Sequence, residues 1–84
     1  MEFHRSAARH GIGEADIIHA MENAIVVVDL DADADPPKVL VIGPGKDAQL
    51  VDVIILNLAD DRQLVIHAMP LRPTFHDLLP EGGS

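Results

Sequence analysis

Leu50-Val51-Asp52-Val53-Ile54-Ile55-Leu56-Asn57-Leu58, then Ala59-Asp60-Asp61-Arg62, then Leu64-Val65-Ile66-His67-Ala68-Met69 is the stretch on which the fold of this chain turns. Aliphatic, largely β-branched residues fill both outer runs, and such side chains favour the pleated backbone of a strand. The acidic segment between them is turn chemistry, and a connection this short joins antiparallel neighbours rather than a crossover. Towards the N-terminus, Val39 to Ile42 reads as another strand, closed by Gly43-Pro44-Gly45. Ile25 to Val28 reads as one more, set apart by Asp31 to Pro37, where aspartates and paired prolines interrupt pairing. In the longest run Leu50, Ile54, Leu56 and Leu58 share a face with Asp52, while Val51, Val53 and Ile55 share the other with Asn57. Both faces are largely apolar, whereas a solvated face alternates with polar residues, so each needs a cover. The C-terminal segment, a second copy of the chain or a different protein are the candidate covers, and a charge placed at Ile55 is expected to break a partner's hold on an outward face.

Ahead of the strands the period changes. Phe3 to His10 suits about two helical turns, with Gly11 as a left-handed stop. Gly13 then caps a second helix from Glu14, where Glu14 and Asp16 complement the positive helix N-terminus. Ile17, Met21 and Ala24 recur at helical spacing, with Ile18 and Ile25 widening the stripe and His19 and Glu22 facing elsewhere. The expected fold is therefore α+β: two short N-terminal helices packed on a four-stranded, mainly antiparallel sheet, with a short C-terminal turn or helix over Phe75 to Leu79. Residues 1–79 form the single expected domain and 80–84 a flexible tail.

Composition bounds the function. The chain has 84 residues, 48% of them hydrophobic, so it buries a thin core but is not a disordered chain. Aliphatic residues must build that core, because Phe3 and Phe75 are the aromatics. Cysteine is absent, which excludes disulfides and thiolate metal sites. No apolar run is long enough to cross a bilayer and no basic-then-apolar leader is seen, so no membrane association and a cytoplasmic location are expected. The net charge of −8 argues against tight nonspecific binding to nucleic acid, which Lys and Arg drive. The charge is uneven, however. Arg5, Arg9, His4 and His10 face only Glu2 in the first thirteen residues, while Asp29, Asp31, Asp33, Asp35, Asp60 and Asp61 carry acid elsewhere. One end is therefore suited to an anionic ligand and the other to a basic partner.

Several motifs resolve to bland readings. Asp29-x-Asp31-x-Asp33-x-Asp35 lacks the glycine and the bidentate glutamate of a calcium loop, having Ala34 and Leu40 in those positions. Gly43-Pro44-Gly45-Lys46 lacks both the spacing of a phosphate-binding loop and a following helix, and reads as a turn. None of the five histidines is paired with a second one and a glutamate as in a zinc helix, so neither metal nor cofactor is expected. His67-Ala68-Met69-Pro70-Leu71-Arg72-Pro73 is different. His67 sits near a strand end, on the parity of Val65 and Met69, and Arg72 lies between two prolines that restrict its backbone. An imidazole that moves a proton and a guanidinium that stabilises developing charge suit a phosphodiester. The structural alternative is a histidine hydrogen-bonded at the sheet edge and an arginine paired with Asp77 or another carboxylate. Arg5, Arg9 and His10 become phosphate contacts if the first helix folds against this sheet end, and His76 is a further candidate.

The run His10-Gly11-Ile12-Gly13-Glu14-Ala15-Asp16-Ile17, the Ile42-Gly43 strand end and the Val65-Ile66-His67-Ala68-Met69-Pro70-Leu71-Arg72-Pro73 segment together resemble small toxins of the BrnT type. These belong to the RelE/ParE-like group of toxin–antitoxin systems. The resemblance implies a helix–helix–sheet fold and a toxin of a type II system, a ribosome-dependent or free endoribonuclease that inhibits translation and is neutralised by an antitoxin. His10-Gly11 stands where the family has His-Gly between its helices. His67 and Met69 stand where it often has serine and arginine, so Arg72 would supply the cation from three residues further on. Such toxins are typically basic and end in a longer arginine-rich helix, whereas this chain is acidic. The expected partners are an antitoxin protein or a second copy, with RNA or the ribosome as target. The competing reading is a noncatalytic interaction module that binds a partner through its sheet face.

Overall fold

The computed structural model describes residues 1–80 and shows an α+β domain built on a five-stranded mixed sheet. Its strands are β1 (Glu2–Phe3), β2 (Val26–Asp31), β3 (Lys38–Pro44), β4 (Leu50–Asn57) and β5 (Gln63–Pro70). They lie in the order β1-β5-β4-β3-β2, with β1 parallel to β5 and every other pair antiparallel. One α-helix, α1 (Glu14–Glu22), precedes β2, and 3-10 segments span Arg5–Ala8 and Pro73–Leu78. The expected tail at 80–84 lies almost wholly outside the described residues. No described helix is long and apolar enough to cross a membrane.

The hairpin that decides the fold forms as its residues dictate. Asp60 and Asp61 both take positive φ, 64° and 60°, and the Arg62 amide donates to the Ala59 carbonyl. Those angles give the tight turn whose twist matches the flanking strands. The helix from Glu14 also forms, behind an extended Gly13. Phe3 to His10, expected as a helix, does not. Glu2 and Phe3 pair with Leu64 and Val65, and His4 donates its amide to the Val65 carbonyl, giving a fifth strand. His4 is extended, and its Nδ1 accepts the Ser6 amide at 3.1 Å, so only a short 3-10 turn follows before Gly11 stops it at φ 77°. So short a segment repays helix nucleation poorly, and its first residues pair with β5 instead. The Glu2 carboxylate then clasps Arg62 with two hydrogen bonds, at 2.7 and 2.9 Å, tying β1 to the hairpin.

Helix α1 covers one face of the sheet, where Ile17 and Ala20 pack with Val41, Val51, Val53, Ile55, Val65 and Ala68. Each fully buried aliphatic side chain here contributes about 1.5–3 kcal/mol. Ile55, expected to be open to a partner, is buried in this core. The helix lies so close to β3 that a methyl on Gly43 would overlap the Ala20 carbonyl. Its register is held by His19 Nδ1, donating to the Pro44 carbonyl at 2.8 Å, and by Asp16, accepting the Lys46 amide at 2.8 Å. Gly43 and Pro44, expected within the turn, instead end β3, paired with Val51 and Leu50, and the turn into β4 follows from Gly45, moored to the helix at Lys46.

The opposite face is covered by the chain itself. Leu71, Phe75 and Leu79 from the C-terminal segment pack on Val26, Leu40, Ile42 and Ile54. Pro73 opens the 3-10 helix two residues earlier than expected, and Arg72 before it is extended, as the residue ahead of a proline tends to be.

Candidate functional site

Register decides what meets on this second face. On β4, Asp52 and Ile54 point towards the C-terminal cover, and their partners on β5 are Met69 and His67. Ile55 pairs with Val65, so Ile66 is an extra residue, a bulge that breaks the alternation of β5. The expected parity of His67 with Val65 is therefore corrected. Val65 belongs to the helix-side core, while His67 and Met69 face the other way, beside Asp52.

Asp52 is completely buried, and Arg72 satisfies it. The Arg72 amide and Nε donate to Oδ2 at 3.0 and 3.2 Å, and Nη2 donates to Oδ1 at 3.0 Å. Pro70 and Pro73 on either side restrict the backbone that turns Arg72 back under the sheet. Its guanidinium carbon lies 4.7 Å from the centroid of the Phe75 ring. The partner of Arg72 is thus Asp52, not Asp77. An acid in the middle of an apolar strand requires such a partner, and that is the signal by which Asp52 was findable from sequence.

His67 stands beside this pair. Its Nε2 is buried 3.4 Å from Asp52 Oδ1, without the geometry of a hydrogen bond. Burial holds the imidazole below its ordinary titration range, the Arg72 cation and His10 add to the depression, and Asp52 opposes it. The ring is therefore neutral at pH 7. His10 meets it edge to face, with ring centroids 5.4 Å apart and an interplanar angle of 64°. What brings His10 there is the Arg5–Ala8 turn, which docks on β5 through Ser6 Oγ donating to the Ile66 carbonyl.

The same turn presents His4, Arg5, Ser6, Ala8 and Arg9 around an open hollow of about 540 Å³. His10, His67 and Arg72 thus come together with Asp52, and Arg5 and Arg9 lie on the adjoining turn. His76 is exposed in the C-terminal 3-10 helix, and among the described residues no hydrogen bond or ion pair of its side chain to this group is seen. Among the described residues no three His, Asp or Glu side chains converge as metal ligands would. Chemically, the site offers a neutral imidazole backed by a buried carboxylate, a second imidazole at its edge, and a fixed guanidinium. Searches against protein-family models, curated proteins and solved structures each return no match to this chain.

Proposed function

We propose that the chain is a toxin-like endoribonuclease of a type II toxin–antitoxin system, cleaving RNA free or on the ribosome and so inhibiting translation. The observation that carries this reading is the His10–His67 contact set against the buried Asp52–Arg72 pair. Cleavage of RNA by its own ribose needs a base for the 2′-hydroxyl, an acid for the leaving 5′-oxygen, and a cation for the phosphorane. Neutral His67 takes the 2′-hydroxyl proton as O2′ bonds to phosphorus. The P–O5′ bond breaks, and protonated His10 supplies the proton that O5′ needs. The products are a cyclic phosphate and a 5′-hydroxyl. Asp52 holds Arg72, whose remaining N–H groups serve the phosphoryl oxygens, and its buried charge faces the His67 ring. Arg5 and Arg9 contact neighbouring phosphates, which concentrates cation at one end of an otherwise acidic chain.

The test is induced expression followed by growth and RNA-integrity measurements, with purified protein on RNA alongside. Growth arrest with RNA cleavage is expected, relieved by co-expression of an antitoxin. His67→Gln and His10→Gln should each slow cleavage by about 10²–10⁴-fold, the usual worth of a positioned acid or base. Folded variants that cleave at the parent's rate would remove both residues from the mechanism.

A further inference from the structure

We infer that the free edge of β2 is a docking strand for an extended segment of a protein partner that carries an apolar residue and, two positions away, a lysine or arginine. The inference is independent of the ribonuclease reading. Among the described residues β2 pairs with β3 alone, so its outer backbone groups are open to a further strand. Three exposed large aliphatic residues lie on or beside it: Ile25 is 48%, Val27 62% and Leu30 41% exposed. Nine-residue α1 is too short to roof this end of the sheet. Beyond it lies a hollow of about 410 Å³ with Val27, Val39, Val41, Met21 and Ala24 among its walls and Asp29 at its rim.

Parity specifies the occupant. Val27 and Asp29 pair with Val41 and Val39, so both point to the helix side, two residues apart. An added strand places alternate side chains on that side, one against Val27 and into the hollow, the next against Asp29. The second must be cationic, since Asp31, Asp33 and Asp35 follow and no cation appears before Lys38. A second copy brings the same aspartates to the same edge and is repelled.

The probe is a synthetic peptide repeating Val-Thr-Lys-Thr, with Val-Thr-Glu-Thr as its counterpart, titrated into the full chain by fluorescence anisotropy. The lysine peptide should bind at least about tenfold more tightly than the glutamate peptide. It should weaken with salt and protect β2 amides from hydrogen exchange. Val27→Lys and Asp29→Asn, both at exposed positions, should each reduce binding about tenfold while leaving the circular dichroism spectrum unchanged. Equal binding of the two peptides, no binding of either, or protection away from β2 overturns the inference. So does a dimer in sedimentation that Val27→Lys dissociates, because that assigns the edge to a second copy.

Discussion

Removing Arg72 should cost far more than removing the acid it serves. Asp52 has no solvent exposure, whereas the Arg72 side chain is 31% exposed. In Arg72→Met the backbone amide still donates to Oδ2, but both guanidinium hydrogen bonds are lost, and the carboxylate cannot reach water. Stranding one member of a buried pair costs about 3–5 kcal/mol. The retained amide bond places this variant near the lower end, at about 3 kcal/mol. In Asp52→Asn the shape is kept and the guanidinium swings outward, so about 1–2 kcal/mol is expected. A domain of 84 residues has roughly 4–13 kcal/mol in all, so the arginine variant loses a large share of its stability. Urea unfolding followed by circular dichroism gives both values, and the double variant gives a coupling of about 1–3 kcal/mol. If Asp52→Asn proves the costlier change, or Arg72→Met costs under about 1 kcal/mol, the burial argument is wrong.

Three further outcomes follow from the geometry. Asp61→Gly should raise stability by about 0.5–1 kcal/mol in the same assay, because its φ of 60° suits glycine and strains an L side chain. Gly43→Ala should cost about 3 kcal/mol or more, since the added methyl meets the Ala20 backbone rather than a yielding side chain; a loss under about 1 kcal/mol would show that α1 shifts freely. Because the His67 titration is depressed in the fold, the unfolded chain binds more protons as pH falls below about 6.5. This contribution to stability is whole above that pH and is lost as pH falls towards the folded value, at no more than about 1.4 kcal/mol per pH unit; His67→Gln should flatten that part of the profile.

Much of the architecture was legible in residue type. The runs around Leu50 to Met69 form strands, the Asp60-Asp61 turn forms between them, and the Glu14 helix starts behind Gly13. β1 was not legible, because two residues make no pattern and Glu2–Phe3 becomes a strand only by meeting β5. The first helix shortened for a related reason: the stretch up to His4 pairs with β5, leaving room for only a 3-10 turn before Gly11. Of the possible covers for the second face, Leu71, Phe75 and Leu79 take the place. Sequence also singled out His67, Arg72 and His10, which the fold assembles. It passed over Asp52, although an acid among Val51, Val53 and Ile54 already signalled a buried cation nearby. The bulge was invisible, since Ile66 has the same strand preference as its neighbours.

That bulge makes the site a matter of counting as much as of chemistry. Period-two alternation alone would put His67 on the face of Val65, opposite Val53 and towards α1. Ile66, bulged out of the ladder, takes up the extra residue and leaves His67 opposite Ile54, on the side of Asp52. A chain shorter by Ile66 would pair Val65 with Ile55 and His67 with Ile54 in unbroken register, so the constellation should survive that deletion, and regular pairing with Ile66 retained is what would dissolve it.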